Sequence, residues 1–204
     1  PHPRHIEVQV LGDGAGNIRT YGLRECSIQR RHQKILEEAL PVNLSEDLRE
    51  KMISASERLS RSIKYLGLGT LEFLVDGDQF YFIEMNTRVQ VEHPITEMVY
   101  QTDLVQEQIQ VAHAQSFDHL SPIPPAQGHA IECRINAEHP ETFLPSVGTI
   151  SGLHFPGGPG VRVDSFIYDE YKVLPHYDSL LAKIICADKT RPACINKMKR
   201  ALRE

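Results

Sequence analysis

The residues best suited to chemistry lie between Glu84 and Pro94. Read as extended chain, this stretch sends alternate side chains to opposite faces. One face then carries Glu84, Asn86, Arg88, Gln90 and Glu92. The other carries Met85, Thr87, Val89, Val91 and His93, and Pro94 ends further pairing. A solvent-facing edge strand would more ordinarily use Lys and Thr, because Asn is a poor strand residue. The pattern predicts a reactive ribbon instead. It offers oxygen ligands for a hard cation at one end, an arginine for an anion in the middle and a carboxylate base at the other end.

A second carboxylate supports this. The β-rich runs Gly69–Val75 and Gln79–Glu84 flank Asp76-Gly77-Asp78, which signals a hairpin. A three-residue loop opposes Val75 to Gln79 and Glu72 to Phe82, so that Glu72 and Glu84 lie diagonally on one face with Asn86 beyond. A two-residue loop would turn one carboxylate away, so register decides the site. Two carboxylates and an amide oxygen, with no Cys or His in the pattern, suit Mg²⁺ or Mn²⁺ better than Zn²⁺.

Other elements must hold this ribbon. His5–Leu11 and Asn17–Leu23 alternate as strands around the run from Gly12 to Gly16. A phosphate-binding glycine loop should lead into a helix, and here a strand follows, so a hairpin turn is expected. His5 and Glu7 share a face. A helix is expected from Asn43 or Ser45 to about Leu66, stopped by Gly67, with Leu48, Met52, Ala55, Leu59 and Ile63 buried. A second helix should start at Thr102 and bury Leu104, Val105, Ile109 and Ala112. Ser121–Pro125 reads as a boundary between segments. Beyond it, short strands are expected at Gly128–Ile135, Gly148–Phe155, Val161–Ser165 and Lys183–Ala187. A last helix should open at Thr190-Arg-Pro192, with Met198 and Leu202 on its apolar side.

The chain has 204 residues, enough for one large domain or two small ones, with 41% hydrophobic and 24% charged residues. A net charge of −5 argues against a general nucleic-acid binder. No apolar run approaches the roughly 18 residues that would suggest a membrane span. Cys26, Cys133, Cys186 and Cys194 lack paired ligand spacing and read as reduced thiols of the cytoplasm or an organelle matrix. With no initiator Met or signal peptide, Pro1-His2-Pro3 reads as a cut within a longer chain.

Three long stretches carry a resemblance: Phe82–Pro94, Glu25–Lys34 and Gly128–Glu138. Together they resemble the signature of biotin carboxylases, enzymes of the ATP-grasp class. The resemblance implies an α+β fold. Residues 1–120 would form the latter, antiparallel-sheet lobe of the ATP-grasp domain, and 121–204 an incomplete biotin carboxylase C-terminal domain. A glycine-rich lid, phosphate-binding lysines and an adenine strand would precede Pro1. The implied reaction is ATP-dependent carboxylation, by bicarbonate, of biotin held on a carrier protein, through carboxyphosphate. The wider assembly would supply a carboxyltransferase component, and the parent enzyme would be a homodimer.

Site roles follow from the same resemblance. Glu72, Glu84 and Asn86 would hold two divalent cations. His5, Gln29, His32 and Leu74, together with Glu72 and Glu84, would contact ATP. Lys34, Arg88, Gln90 and the Val91 backbone would hold bicarbonate, with Glu92 as general base. Arg134 and Arg88 would stabilise negative charge on biotin. Read alone, the positive run Gln29–Lys34 is a solvated face, and Glu132, Arg134 and Asn136 make an outward strand face. Tyr177-Asp178 looks like the family too, without a chemical role. The acyl acceptor is left among acetyl-CoA, propionyl-CoA, methylcrotonyl-CoA and pyruvate, with acetyl-CoA carboxylase most similar around Phe143–Ser146. A carbamoyl-phosphate-forming ligase or a non-catalytic docking module are the other readings.

Overall fold

The run Ile6, Val8 and Val10, all fully buried, turns one face of strand β1 (Arg4–Asp13) into an apolar core. The intervening Glu7 and Gln9 are buried as well, which the alternation predicts only for a strand covered on both sides. The computed structural model describes residues 3–204, so the first two residues of the Pro1-His2-Pro3 lead lie outside the described residues.

Strands β2 (Ile18–Arg30), β3 (Gln33–Ala39), β4 (Leu66–Asp76), β5 (Gln79–Asn86), β6 (His129–Asn136), β8 (Val161–Ser165) and β10 (Leu180–Asp188) join β1 in one sheet. Its order is β5-β4-β1-β2-β3-β6-β10-β8, and every pairing is antiparallel. The two-residue strands β7 (Gly148–Thr149) and β9 (Lys172–Val173) pair separately. Helices α1 (Glu46–Ser62), α2 (His93–Tyr100), α3 (Leu104–Ala114) and α4 (Arg191–Ala201) complete the described elements. None of them is long and apolar enough to cross a membrane.

The sheet divides its helices by face. Leu48 and Met52 of α1 pack on Ile6, Val8, Leu71 and Phe73, while Cys194 and Met198 of α4 pack on Ile131, Cys133 and Ile184. Leu104 and Val111 of α3 pack on Leu11 and Leu68, and Ile95 and Val99 of α2 on Ala130 and Ile185. Glu7, Gln9, Glu72, Glu132 and Arg134 alternate with the residues that face α1 and α4. They therefore line the face that α2 and α3 only partly cover. Ser121–Pro125 is irregular, but β3 pairs with β6 through Leu36, Glu37 and Glu38, so the sheet runs unbroken past it.

Several expectations are corrected. The β4–β5 loop is the two-residue Gly77-Asp78, not three residues: Asp76 pairs with Gln79 and Val75 with Phe80. Gly77 has φ 58°, the sign a two-residue hairpin needs at its first central position. A bulge then absorbs Ile83, so Phe73 pairs with Phe82 but Glu72 pairs with Glu84. One extra residue restores the parity that the short turn would have lost.

The ribbon is not extended to Pro94. Pairing ends at Thr70–Asn86, residues 87–92 run irregularly, and α2 begins at His93 with Pro94 in its first turn, where a missing N–H costs nothing. Helix α1 stops at Ser62 instead of near Leu66, because Lys64 turns left-handed (φ 49°) and Leu66 opens β4. Its buried stripe is Leu48, Met52, Ser56 and Ser60; Leu59 and Ile63 are exposed. Serine's small size lets the second half of the helix approach the sheet. Asp103, not Thr102, caps α3, accepting from Gln106 N at 2.8 Å, and Val105 and Ile109 face outward. Gly152 (φ 65°) and Pro156 leave only Gly148–Thr149 of the expected 148–155 strand. Met198 is buried in α4, but Leu202 is half exposed at its end.

A Cβ on Gly12 would stand 2.0 Å from the Tyr65 carbonyl oxygen, which the Gly14 amide holds in place at 3.0 Å. Gly12→Ala should therefore destabilise the chain by about 3 kcal/mol in urea unfolding, since backbone must move to relieve the overlap. Glu38 joins β3 to α4 and β6, accepting both Nε and Nη2 of Arg191 at 2.7 Å and lying 2.8 Å from His129 Nε2. Burial pushes its carboxyl up, but Arg191 and His129 outweigh that and hold it at about 2, below the ordinary 4.5. The folded state thus binds its proton later than the unfolded state. Its contribution should be full above about pH 4.5 and vanish as pH falls through about 2. Melting of Glu38→Gln against the unmodified chain across that window checks this, and the gap should close on acidification.

Candidate active site

Because Glu72 and Glu84 are paired across β4 and β5, their side chains rise from the same face. Asn86, one pair further on, donates its amide to Glu72 Oε1 at 2.9 Å and to Glu84 Oε1 at 3.2 Å. Rotated about its last torsion, the same amide would offer an oxygen there. Glu84 is exposed and Glu72 nearly buried, so the cluster opens to solvent on one side. An oxygen donor set of this kind fits a hard divalent cation.

Glu72 is the most shared group of the site. It accepts from Gln90 Nε2 at 2.7 Å and Lys34 Nζ at 3.0 Å, and His5 Nε2 lies 2.7 Å from its second oxygen. Gln29 Nε2 lies 3.0 Å from His5 Nδ1. Burial raises the Glu72 carboxyl, but His5, Lys34 and Gln90 together hold it at about 2. It is therefore an anion at neutral pH.

Lys34 turns inward from β3. Its ammonium donates to Glu7 and Glu92 at 2.6 Å each, as well as to Glu72. Burial alone would lower its pKa, but Glu7, Glu92 and Glu72 overcome that and push it up, so the lysine stays charged. Glu92 sits at the N-terminus of α2, where the helix dipole favours an anion, and makes no capping bond with its side chain. Its carboxylate is 2% exposed and takes Lys34 on one oxygen and Arg134 Nη2 on the other, the latter at 3.0 Å. Burial raises it, while Lys34, Arg24 and Arg134 outweigh burial and hold it below the usual carboxylate range.

Arg134 opens the second half of the site. Beside it a pocket of about 560 Å³ is walled by Phe166, Tyr171, Leu174 and Tyr177, with Val91 and Asp178 at its edge. Phe166 and Tyr171 meet edge to face at 5.4 Å. The Val91 carbonyl accepts from Lys183 Nζ at 2.8 Å.

A single chain of polar contacts therefore joins His5, Lys34, Glu72, Glu84, Asn86, Gln90, Glu92 and Arg134. Gln29 reaches it through His5, and Leu74, 38% exposed, lies on the Glu72 face opposite His5. His32 stands at the exposed tip of the β2–β3 turn, where Arg31 and His32 take φ 51° and 67°. The expected single face of Arg88, Gln90 and Glu92 does not form. Gln90 turns to Glu72, Glu92 stands at the N-terminus of α2 without capping it through its side chain, and Arg88 stays exposed with Nη2 3.4 Å from Asn86 Oδ1.

Residues 1–120 match the family model described as "Carbamoyl-phosphate synthase L chain, ATP binding domain", and residues 132–204 match the biotin carboxylase C-terminal domain. The chain is 54% identical to a biotin carboxylase of Nostoc sp. over 204 residues, covering 99% of this chain and 46% of the relative. The chain belongs to the biotin carboxylase family. Its structure superposes on a biotin carboxylase–β,γ-ATP complex of Campylobacter jejuni with a TM-score of 0.95 at 46% identity, covering 100% of this chain and 46% of the other. It also superposes on the biotin carboxylase domain of the 2-oxoglutarate carboxylase of Hydrogenobacter thermophilus. There the TM-score is 0.94 at 44% identity, with 99% of this chain and 45% of the other covered. That structure is a dimer in complex with MgADP, ADP and bicarbonate. The chain thus spans about half the length of the biotin carboxylases it matches.

Sequence reasoning passed over three residues of this charged cluster. Arg24, fully buried, donates to Glu7 at 2.5 Å, Gln9 at 2.6 Å, Thr96 at 3.0 Å, Thr70 at 3.1 Å and Gln90 at 3.3 Å. Glu7 holds Lys34, and Glu37 accepts Arg134 Nε at 2.6 Å. The available signal was the polar Glu7 and Gln9 alternating with the buried Ile6, Val8 and Val10. Replacing Arg24 by Met should destabilise the fold by about 3–5 kcal/mol, because Glu7 is left as a buried anion with less compensation. Adding Glu7→Gln should recover part of that loss, and equal unfolding midpoints for the single and double variants would show that the two charges are not coupled.

Proposed function

We propose that the whole protein carboxylates biotin held on a carrier protein, using ATP and bicarbonate, as the first half-reaction of acetyl-CoA carboxylase. The observation that carries this reading is Glu92, gripped by Lys34 on the cation-binding side and by Arg134 on the pocket side. Two sites that must exchange a one-carbon unit are thereby joined through one carboxylate. Residues 1–120 would supply the later ATP-grasp lobe and 121–204 the carboxylase C-terminal part. The carrier protein, a carboxyltransferase component and a second copy of the enzyme complete the assembly, in the cytoplasm or an organelle matrix.

Glu72, Glu84 and Asn86 would hold the divalent cations, Mg²⁺ or Mn²⁺, which when bound neutralise phosphate oxygens during phosphoryl transfer. His5 and Leu74 present an imidazole and an apolar surface to the nucleotide on the same face, with Gln29 and His32 further along. Bicarbonate binds where its negative charge meets Lys34 and exposed Arg88, with Gln90 and the Val91 backbone alongside. Glu92 begins ionised, as a base must. Its three cations weaken it until Lys34 and Arg134 turn toward the incoming anion, and that transfer of partners restores its affinity for the bicarbonate proton. Bicarbonate attacks the γ-phosphoryl group of ATP and ADP leaves; the carboxyphosphate formed releases CO₂ and phosphate beside Arg134. Phosphate then takes the biotin N1 proton, and the guanidinium stabilises charge on the ureido oxygen while the nitrogen takes up CO₂. The aromatic pocket suits the apolar part of the biotin ring.

The roles of Glu92 and Arg134 separate in the full-length enzyme. Glu92→Gln keeps shape but takes no proton, so bicarbonate-dependent ATP cleavage and carboxybiotin formation should both fall while ATP still binds. Arg134→Ala should lower carboxybiotin formation by about a hundredfold or more, as for a lost oxyanion donor, with ATP cleavage retained. Phosphate release and carboxybiotin are measured in parallel, and Mn²⁺ binding is followed by its paramagnetic resonance. Equal loss of both activities in Arg134→Ala, or retention of both in Glu92→Gln, would end this division of labour. Only Glu84→Gln should weaken Mn²⁺ among the three variants.

A further inference from the structure

Beneath Arg134 lie two carboxyl groups that the reaction above does not use. Glu37 on β3 and Glu132 on β6 are direct cross-strand partners, and both are 0% exposed. Directly paired residues point to the same side of the sheet at the shortest separation a sheet allows. Glu37 Oε1 receives Arg134 Nε at 2.6 Å, whereas Glu37 Oε2 and both oxygens of Glu132 have no hydrogen-bond partner among the described residues. Two such anions cannot both stay ionised side by side out of water, and unpaired buried acceptors are costly. One proton placed between them removes the repulsion and gives an otherwise orphaned oxygen its donor.

The charges around the pair set its consequence. Arg134 lies on the strand of Glu132 itself, Glu92 faces it from the α2 N-terminus, Glu7 from β1 and Lys183 from β10. Lys183 is already engaged with the Val91 carbonyl at 2.8 Å and with Asp164 at 3.5 Å, and Glu7 with Arg24 and Lys34. Arg134 is therefore the one cation hydrogen-bonded to the pair, and its other end must still serve Glu92 and an anion in the pocket.

Resting on the function proposed above, we propose that Glu37 and Glu132 are positioning residues that share one proton. As a pair with a single negative charge, they hold Arg134 by Nε and leave Nη2 turned to Glu92 and the biotin pocket with its positive charge largely unspent. Burial pushes both carboxyls up, and each raises the other. The shared proton is thus retained well above the ordinary carboxylate range and lost only on the alkaline side, where a second negative charge would cancel the arginine. Carboxybiotin formation should then decline at high pH while bicarbonate-dependent ATP cleavage, which does not need Arg134, does not.

The test uses the full-length enzyme with free biotin, with Glu132→Gln and Glu37→Gln as the two variants. Glu132→Gln cannot ionise, so it should abolish the alkaline decline and keep carboxybiotin formation within about twofold at neutral pH. Glu37→Gln keeps an acceptor but loses the charge that grips Nε. Carboxybiotin formation should fall about tenfold through a raised KM for biotin, with ATP cleavage within about twofold. Independently of turnover, the infrared C=O stretch of a protonated carboxyl should be present in the parent at neutral pH and absent from Glu132→Gln. Absence of that band from the parent overturns the inference. So does an alkaline decline that persists in Glu132→Gln, or an equal loss of both activities in Glu37→Gln. A parent that shows the band but makes no carboxybiotin overturns the proposed reaction and leaves the proton-sharing pair standing.

Discussion

The structure depends on a guanidinium with no access to water. Arg24 sits in the middle of the sheet and binds side chains from β1, β4, α2 and the segment leading into α2. Removing an ion from water costs several kcal/mol unless partners surround it, so its neighbours are constrained in type as well as position. Each must present an oxygen, and together they fill the guanidinium's hydrogen-bonding edges. This explains why β1 carries Glu7 and Gln9 where a strand covered on both faces would ordinarily be apolar. It also ties the irregular segment after β5 to the sheet, since Gln90 binds Arg24 with its oxygen and Glu72 with its nitrogen.

From that centre, charge alternates outward. Arg24 holds Glu7, Glu7 holds Lys34, Lys34 holds Glu72 and Glu92, and Glu92 holds Arg134. Glu7 and Glu92 each lie between two cations, and Lys34 lies among three carboxylates. Buried ion pairs of this kind contribute little net stability, because desolvation offsets their attraction. What they provide is definition. Within the path no charge can swing out without uncovering its partner, so these side chains keep one arrangement. Glu84 and Arg88, at the exposed end, lie outside that path and meet Asn86.

Local geometry explains how one short stretch serves both ends of the site. A bulge at Ile83 keeps Glu84 on the face of Glu72 after a turn that would have inverted it. Four residues after Arg88, the backbone has become the start of a helix, and Glu92 meets Lys34 and Arg134. An extended ribbon would have carried Glu92 too far from Glu72 for the two to share Lys34. The turn into α2 brings them together.

Much was legible in the residue order. The antiparallel strands, the glycine-run hairpin between β1 and β2, the helix starts at Asn43 or Ser45 and at Thr190, and the family itself follow from alternation, turn residues and three long motifs, all of which are local. The pairing of Glu72 with Glu84 was visible only up to a register, since one residue in a turn or a bulge inverts a face and both are allowed by the same letters. The end of β5 and the start of α2 were hidden because Pro94 is as compatible with a strand stop as with a helix first turn. Arg24, Glu37 and Glu132 could not be assigned from spacing at all. A buried charge is distinguished from an exposed one by its partners, and those partners stand on other strands. Residue types alone determined that this chain carries the parts of a biotin carboxylase; the sheet that sets β3 beside β6 and β1 beside β4 decided which charges meet, because burial and pairing are properties of the folded chain.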